Sequence, residues 1–587
     1  MKARNVINNS SYLELLLEFE AAFPKEKRLE PETYLIGGSR NIILKVATFF
    51  LGFKNRNSKY QDNKVLLESI FSKENNDFSN ELYTNIQKLE KKGDKVKIIN
   101  PDSSLRLFEI FFHTEEEKET QTSTEFEINL FKAYLTLNSI FTQKQKVAFD
   151  STEELETELH FPLLTFCMSY PYSDKLNYNI SEIWTTQLIK AIFLFRFLER
   201  DSRSKALLSS FLDYFECKTW EEYLKKILPL TTSAIKNENE AQTDIIVTPG
   251  NNFNGDCAFL DKLILVENDE FNQNDFITLR AKPFYKISNG TYRIIFSLFV
   301  VEKVFKGLYF ILRDVNNKLT APNKITDLKS FFGDEFSEKI MLYEILNKIY
   351  PNKCISFTGK QLSDLKVDGA PDYYIRVGND ILIFESKDFL IPASSKESFD
   401  YHIYEDEFEK KLYFEEKDGR EKHKAVMQLI GVVKKILQSE IPCDRSYKYR
   451  SVSIYPIIIT HDPQYDVSGL NNLVDYWFQA ELEILKEEGL FINRVKPLVL
   501  INIDSLIYHQ VALLNNFKLH EIIQKYFEHI HIAHGLRFPS QEEAEKYILG
   551  RTIPFAIFLD NFLAQKKLKN VPPMLEEMGY SIFKSDS

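Results

Sequence analysis

The sequence predicts an α+β fold, in which a mostly helical N-terminal region is followed by a small mixed region and then by a mixed β-sheet flanked by helices. Three patterns support this class. Apolar residues recur at helical spacing through the first 240 residues. Two runs of β-branched and aromatic residues flank Gly378-Asn379, which is typical of a β-hairpin. Two nearly continuous apolar runs, 452–460 and 497–503, are typical of strands buried on both faces.

A change from helical to extended patterns divides the chain into four regions along its length. In the second region we expect the apolar segment 309–312 to be a strand, and in the third a helix at 473–486 connects the two apolar strands as a βαβ crossover. The predicted regions are a mainly helical domain at 1–240, a mixed strand and helix region at 241–324, a sheet-containing domain at 325–515 and a helical extension at 516–587.

Composition limits the class of protein. Hydrophobic residues make up 44% of the 587 residues, which is enough to bury a core, and the formal net charge of -11 argues against a uniformly basic nucleic-acid coat. A local basic groove remains compatible with that charge. The cysteines are scattered and never form a C-x-x-C pair, which indicates reduced thiols rather than a disulfide framework or a zinc ribbon. They are Cys167, Cys217, Cys257, Cys354 and Cys443.

No segment points to a membrane or to a nucleotide-driven motor. The N-terminus lacks an apolar signal core, and the most apolar stretch, 294–312, is interrupted by charged residues. We therefore expect a cytoplasmic protein with no membrane partner. The phosphate-binding pattern G-x-x-x-x-G-K-[ST] does not occur, because Phe357-Thr358-Gly359-Lys360 lacks the first glycine and the trailing Ser or Thr.

The chemistry of the sequence concentrates in the hairpin at 371–387. A two-residue loop with Gly first suits a type II′ turn, and a loop of that length fixes the register of the two strands. That register places Asp372 directly opposite Glu385, with Cβ atoms about 4.5–5.5 Å apart. Lys387 lies two residues beyond Glu385, so its side chain points to the same face.

Two opposed carboxylates repel each other, so a purely structural hairpin would be expected to avoid this arrangement. A divalent cation such as Mg2+ resolves the repulsion, because it prefers carboxylate oxygens and keeps several waters. Lys387 could then orient or deprotonate an attacking water, or stabilise charge on a phosphate, so the constellation predicts a phosphodiester hydrolase. The alternative is a solvated hairpin in which Lys387 forms an exposed ion pair that contributes only about 0–1 kcal/mol.

The spacing of Pro371-Asp372 and Glu385-Ser386-Lys387 resembles the motif of the PD-(D/E)XK nuclease superfamily, whose fold is restriction-endonuclease-like. The resemblance covers about 330–510 at most, in the C-terminal half. It implies that Asp372, Glu385 and the backbone carbonyl of Ser386 bind Mg2+, for which Mn2+ can substitute. It also implies that Lys387 positions the water or stabilises the developing charge.

The same resemblance implies two more catalytic residues, each on a helix. An upstream helix often presents a Glu to the metal site, and Glu344 matches by position, with a solvent-facing helical Glu as the alternative. The helix after the Glu-x-Lys strand often carries a Gln, and Gln428 matches that position. The aromatic residue expected four residues later is Val432 in this sequence, so the extended motif of some subfamilies is incomplete.

Basic residues near these positions are candidates for nucleic-acid binding. Lys424 and Lys435 share one face of the 423–437 helix with Gln428 and would face phosphates. Arg376 lies on the same face of the hairpin as Asp372. The alternative for the helix is the ordinary polar face of an amphipathic helix.

Two histidine-containing segments are weaker candidates. His529, His531 and His534 form a local cluster, but no single local structure aligns all three, so a structural or surface role is the preferred interpretation. His461-Asp462 ends an apolar strand and could form a second polar site.

Together these features predict a cytoplasmic, Mg2+-dependent endonuclease that acts on DNA, the usual substrate of the superfamily. The architecture suggests a role in restriction or anti-phage defence. The alternatives are a non-catalytic nucleic-acid-binding or scaffold protein that retains the fold, and an RNA nuclease. The N-terminal half could mediate homo-oligomerisation or bind an activating partner.

Overall fold

The fold is taken from a computed structural model. It describes residues 15–51, 62–90, 96–113, 118–175, 178–237, 240, 242–266, 274–351, 354–367, 369–417, 419–531, 538–569 and 571–583.

Helices dominate the described chain. In order they are α1 Phe19–Ala22, α2 Pro31–Leu35, α3 Arg40–Leu51, α4 Asn63–Ile70, α5 Asn76–Glu90, α6 Pro101–His113, α7 Ser123–Thr152, α8 Thr157–Ser169, α9 Ile180–Arg200, α10 Lys205–Phe215, α11 Trp220–Lys236, α12 Phe253–Asp261, α13 Ile277–Ala281, α14 Ser297–Glu302, α15 Lys306–Lys318, α16 Leu328–Phe331, α17 Tyr343–Ile349, α18 Gly359–Asp364, α19 Ala393–Lys396, α20 Tyr401–Leu412, α21 Ala425–Leu437, α22 Leu470–Glu487, α23 Ile503–Asn515, α24 Leu519–Ile530, α25 Gln541–Leu549, α26 Phe555–Gln565 and α27 Pro573–Phe583. A π-helix, Phe332–Leu342, lies between α16 and α17.

The strands are short and fall in several sheets. In order they are β1 Leu15–Leu16, β2 Val96–Lys97, β3 Asp244–Ile246, β4 Phe284–Ser288, β5 Thr291–Ile294, β6 Ile355–Thr358, β7 Tyr373–Val377, β8 Asp380–Lys387, β9 Phe414–Lys417, β10 Arg420–His423, β11 Ser453–Thr460 and β12 Val499–Asn502. The largest sheet has five strands of mixed direction. Together with the helices, these sheets confirm the predicted α+β class.

The described residues form two compact units, each built from two separate stretches of chain. Unit 1 contains Met1–Val147 and Glu222–Gly307, and unit 2 contains Ala148–Glu221 and Leu308–Ser587. The four predicted regions, by contrast, follow one another along the chain.

Unit 1 is helical, with a small antiparallel sheet in the order β3-β5-β4. Its core is rich in aromatic rings that pack against each other. The ring centroids of Phe50 and Tyr134 are 4.7 Å apart, and those of Phe71 and Phe131 are 5.3 Å apart. All four side chains are buried. The abundance of Phe in the sequence therefore goes into core packing here.

Unit 2 is organised around the five-stranded sheet, in the order β12-β11-β8-β7-β6. Strands β8, β11 and β12 run parallel, whereas β6, β7 and β8 form an antiparallel meander. Helix α22 connects β11 to β12, which confirms the predicted crossover between the two apolar strands. The central residues of β8 and β11 are almost fully buried, as expected for strands covered on both faces.

The hairpin β7–β8 has the register that the sequence predicts. Val377 pairs with Asp380 and Tyr373 pairs with Phe384, so Asp372 and Glu385 form the next opposed positions. Gly378 has a φ of 63°, which a side chain would disfavour and which the first position of a type II′ turn requires.

One strand prediction is wrong. Residues 309–312 lie inside helix α15, where the buried residues Leu308, Leu312 and Val315 have helical spacing. A short apolar run is compatible with either structure, and here the flanking apolar residues complete one face of a helix. Among the described residues, no helix combines the length and the apolarity needed to cross a membrane.

Candidate active site

The backbone around Asp372, just before β7, is held by a close approach to Gly359, just after β6. The Gly359 backbone N–H donates to the Asp372 carbonyl oxygen at 2.7 Å. A Cβ at Gly359 would lie 3.1 Å from the Asp372 Cα, so this position favours a residue with no side chain. The glycine that does not belong to a phosphate loop therefore has a structural role beside the site.

The Asp372 carboxylate points toward the end of β8. Its Oδ2 accepts a hydrogen bond from the Ser386 backbone N–H at 2.7 Å. Burial raises the pKa of Asp372, although the Lys387 charge and this hydrogen bond act in the opposite direction. The bond fixes one carboxylate oxygen against the strand that carries the second carboxylate.

Glu385 is a fully buried carboxyl group of the site. Its side chain has no exposed surface, its Oε2 accepts a bond from Lys387 Nζ at 3.1 Å, and none of the described residues donates to its Oε1. Burial and, next, the charge of Asp372 raise the pKa of Glu385 to about 8. In the absence of a cation Glu385 therefore holds a proton at pH 7, and its carboxyl group shares a side-chain hydrogen bond with Asp372.

Lys387 supplies a positive charge in direct contact with Glu385. Burial opposes the charged form, but Glu385 and Asp372 outweigh it and hold the pKa of Lys387 above its usual value. Lys387 is therefore an ammonium at neutral pH. The ion pair is not the exposed pair of the structural alternative, because the Glu385 side chain is 0% exposed and that of Lys387 only 22%.

A third carboxylate comes from the π-helix, and it is Glu338 rather than Glu344. Glu344 is exposed on α17. Glu338 accepts a hydrogen bond from the Tyr343 hydroxyl at 2.8 Å, and burial followed by the charge of Asp372 raises the pKa of Glu338 to about 7. Glu338 also acts on the pKa of Glu385. The structure thus brings Glu338, Asp372 and Glu385 together and leaves Glu344 outside.

The π-helix explains why Glu338, and not the predicted Glu344, lies near Asp372. Its i→i+5 hydrogen bonds give a wider turn than the 3.6-residue period of an α-helix. Side chains of the π-helix at 332–342 therefore do not share the faces that they would share in an α-helix. The group of acidic residues at 334, 335 and 338 is the feature of the sequence that could have indicated Glu338.

Ser386 on β8 contacts His461, which directly follows the neighbouring strand β11. Ser386 Oγ lies 2.8 Å from His461 Nε2. Burial lowers the pKa of His461 to about 4, so the imidazole is neutral at pH 7. Asp462 instead caps the following turn by accepting the Gln464 backbone N–H at 3.0 Å. His461 thus contacts the candidate site, while Asp462 has a local structural partner.

An ion pair lies next to this site, at the residue that follows strand β8. Lys329 Nζ lies 2.6 Å from Asp388 Oδ1, and the Ser337 hydroxyl donates to Asp388 Oδ2 at 2.7 Å. Although burial acts in the opposite direction, Lys329 and His461 hold the pKa of Asp388 at about 2. This pair ties the π-helix and α16 to the end of β8. The sequence analysis did not identify it, because its partners are about 60 positions apart.

The residues expected to hold a divalent cation fit that role chemically. Asp372 and Glu385 were predicted to hold the cation and offer hard oxygen ligands, Glu338 adds a carboxylate that was not predicted, and Glu385 Oε1 accepts no hydrogen bond from a described residue. Within the described residues, no group of three or more His, Cys, Asp or Glu side chains has a geometry ready to hold a metal. The site therefore suits a divalent cation in the type and charge of its oxygen ligands. Lys387 is bonded to one of these oxygens, Glu385 Oε2.

The predicted residues Lys424, Gln428 and Lys435 lie on α21 or at its N-terminus, and α21 packs against β8. Gln428 is half-buried on this helix, which packs against β8, and among the described residues no hydrogen bond joins it to Asp372 or Glu385. Lys424 forms an ion pair with Glu415 at 2.8 Å. Lys435 is half-buried, and its Nζ lies near Gly369.

Arg376 has an intramolecular partner. Its guanidinium forms a two-pronged ion pair with Asp444, at 2.6 Å from Nε to Oδ2 and 2.9 Å from Nη2 to Oδ1. The Tyr374 hydroxyl donates to the same carboxylate at 2.8 Å, and the Asp444 side chain has no exposed surface. Arg376 therefore neutralises a buried carboxylate, and we do not include it in a nucleic-acid interface.

The histidine cluster is divided between described and undescribed positions. His529 Nε2 lies 3.0 Å from the Gly550 carbonyl oxygen. Burial and the charge of Arg551 lower the pKa of His529. His534 lies outside the described residues. The contacts of His529 are those of a residue that ties α24 to the end of α25.

Comparison with known proteins identifies no relative. No family model matches the sequence, no curated protein matches it significantly, and no solved structure does so either. Any assignment of function therefore depends on the residues and the geometry described above.

Proposed function

We propose that unit 2 is a metal-dependent nuclease with a restriction-endonuclease-like sheet, which hydrolyses phosphodiester bonds, most readily in DNA. The observation that carries this proposal is the group of three carboxylates, Asp372, Glu385 and Glu338, whose charges all act on Lys387, with Lys387 Nζ 3.1 Å from Glu385 Oε2. A hairpin that served only stability would gain by replacing these charges with apolar residues.

Each residue has a role that follows from its position. Asp372, Glu385 and Glu338 would hold the divalent cation, together with the backbone carbonyl of Ser386 that the family resemblance implies. When bound, a cation of this kind stabilises charge on the phosphate and lowers the pKa of a water. Lys387 is protonated, so its role is to orient the attacking water and to stabilise negative charge rather than to act as a base.

Neighbouring side chains hold these groups in place. The Ser386 backbone N–H orients Asp372, and the Tyr343 hydroxyl orients Glu338. His461 is neutral and anchors the Ser386 side chain, so it acts as a positioning residue. The role of Gln428 remains a prediction from the family resemblance.

Cleavage assays on the full chain test the proposal. Supercoiled plasmid is incubated with the parent protein in Mg2+, in Mn2+ and in EDTA, and with Lys387→Ala. We expect metal-dependent nicking that Lys387→Ala lowers by roughly 100-fold or more. Lys410→Ala is the matched control, because Lys410 pairs with Asp406 on an exposed helix face. An RNA of matched sequence separates DNA from RNA cleavage.

The alternatives give different results in the same assay. Faster cleavage of the RNA would replace DNA by RNA as the substrate. A protein that cleaves neither substrate and whose melting temperature does not respond to Mn2+ would be a non-catalytic protein with this fold. Equal activity of Lys387→Ala and the parent would contradict the assignment of the site.

A further inference from the structure

A short loop between α21 and β11 combines basic and aromatic residues in alternation. It reads Arg445-Ser446-Tyr447-Lys448-Tyr449-Arg450. Arg445, Lys448 and Arg450 are exposed, whereas Tyr447 and Tyr449 are half-buried. The loop thus exposes three cations to solvent, and two half-buried tyrosine rings lie between them in sequence.

The segment 491–496 lies beside this loop and adds two cations. The Ile454 backbone N–H donates to the Arg494 carbonyl at 3.0 Å, and the Lys496 backbone N–H donates to the Ile454 carbonyl at 2.8 Å. The Arg450 guanidinium carbon lies 5.9 Å from the Phe491 ring centroid. Two stretches more than 40 residues apart therefore form one surface. We call it the basic face, consisting of Arg445, Lys448, Arg450, Arg494 and Lys496.

The charges of the basic face are not neutralised by acidic side chains of the described residues. Within the described part of the chain, none of the five forms an ion pair with a carboxylate. Neighbouring cations do, since Lys434 pairs with Glu488 and Arg376 pairs with Asp444. Asp380, at the same end of the sheet, faces His520 at 3.7 Å. In a chain with a net charge of -11, five adjacent cations without an acidic partner indicate an anionic ligand.

Aromatic rings between the cations narrow the kind of ligand. The Arg450 guanidinium carbon is 5.6 Å from the Tyr449 ring centroid, and Arg450 Nε donates to the Tyr449 hydroxyl at 3.1 Å. Tyr449, Arg450 and Phe491 thus form a connected, partly exposed group of flat surfaces. Cations that contact phosphates, interleaved with surfaces on which bases stack, are typical of proteins that bind single-stranded nucleic acid.

The basic face lies at the opposite end of the sheet from the carboxylates. Ser453, at the start of β11, pairs with Asp380, whereas Thr460 at its end pairs with Lys387. At about 3.3 Å per residue, the seven steps between them span roughly 23 Å. A nucleic acid held on the basic face therefore makes contacts that are separate from those at the candidate active site.

We propose that the basic face binds single-stranded nucleic acid through its phosphates and through stacked bases. The inference goes beyond the proposed hydrolysis and does not depend on it, because binding is measured without cleavage. An acidic protein and an anionic membrane are the competing partners. Both would use the cations, but neither would need the rings of Tyr449 and Phe491.

The test is fluorescence polarisation of a labelled 20-nucleotide single strand with the full chain in EDTA. We expect the triple variant Arg445→Ala, Lys448→Ala, Arg450→Ala to bind roughly tenfold or more weakly at low salt. The slope of log affinity against log salt should fall by about 0.7 for each phosphate that the variant no longer neutralises. Tyr449→Leu with Phe491→Leu should weaken binding by about fivefold or more with little change in the salt slope.

A matched control removes three exposed lysines elsewhere in unit 2, as Lys324→Ala, Lys410→Ala, Lys486→Ala. We expect it to bind like the parent and all variants to keep the parent's melting temperature. If the triple variant does not fold, the double variant Arg445→Gln, Lys448→Gln replaces it.

Three outcomes would overturn the inference. The first is a parent that does not bind the single strand, and the second is a triple variant that binds like the control. The third is tighter binding of polyglutamate or of phosphatidylserine vesicles with no effect of the ring variant. If the single strand binds through the basic face but no substrate is cleaved, the nuclease proposal fails while this inference stands.

Discussion

Tyr343 donates its hydroxyl hydrogen to Glu338 Oε1 at 2.8 Å, and this bond joins the first turn of α17 to the π-helix. It orients a carboxylate that the charge of Asp372 already perturbs. π-Helical segments are rare and often occur at functional sites. The hydrogen bond from Tyr343 and the charge of Asp372 therefore favour Glu338 over Glu344 as the carboxylate that a helix contributes to the site.

The first prediction separates Glu338 from Glu344. We expect Glu338→Gln to lower metal-dependent cleavage by at least about tenfold, because it removes an oxygen ligand and its charge. Glu344→Gln changes an exposed residue of the next helix and should retain the parent's rate. The measurement is the initial rate of plasmid nicking at saturating Mg2+. A lower rate for Glu344→Gln than for Glu338→Gln would restore the glutamate that the sequence indicated.

The sequence was sufficient for the parts of the site that depend on local geometry. A two-residue turn fixes the pairing of Asp372 with Glu385, and strand alternation fixes Lys387 on the same face. Glu338 could not be found in the same way, because a π-helix changes the angular spacing of its side chains. The pairing of Arg376 with Asp444 also depends on tertiary contacts across about 70 positions.

The second prediction concerns the pH dependence of stability without metal. The pKa of Glu385 rises from 4.5 to about 8 on folding, so the folded protein binds more protons than the unfolded chain between these values. The contribution of Glu385 to the free energy of unfolding should therefore be complete below pH 4.5. It should decrease as pH rises toward 8. Glu338, with a pKa of about 7, acts in the same direction.

Comparison of variants isolates this contribution. In EDTA, Glu385→Gln should melt at a higher temperature than the parent at pH 8, with a smaller difference at pH 5. The expected change is of the order of 1 kcal/mol for each pH unit in which the group titrates. Glu344→Gln serves as the exposed control. An identical difference in melting temperature at both pH values would show that Glu385 does not titrate in this range.

The third prediction concerns divalent cations. At pH 8, Mn2+ or Mg2+ at about 100 times its dissociation constant should stabilise the protein by about 2.7 kcal/mol, seen as a higher melting temperature. At the same cation concentration, the shift in melting temperature should be smaller at pH 6, because protons compete with the cation for Glu385 and Glu338. Asp372→Asn removes one carboxylate charge and should abolish most of the shift. An equal shift in Asp372→Asn would place the cation elsewhere.

The fourth prediction treats Arg376 as a structural residue. Arg376→Ala leaves the fully buried Asp444 without its cation, so we expect a loss of about 3–5 kcal/mol in stability. Arg376→Lys should recover only part of it, because an ammonium cannot reproduce the two-pronged pair. Lys424→Ala, which breaks the partly exposed pair with Glu415, should cost about 0–1 kcal/mol.

Urea denaturation and oligonucleotide binding together test this role for Arg376. Below the denaturation transition, folded Arg376→Ala should bind a single strand as the parent does. In the parent, the Arg376 guanidinium already contacts Asp444 and the Gly378 carbonyl, so its removal takes no contact from the nucleic acid. A variant that keeps the parent's stability but loses binding would instead make Arg376 a phosphate contact. In that case the ion pair with Asp444 would have to open when nucleic acid binds, at the expense of a buried carboxylate left with Tyr374 and Ser446 as its remaining partners.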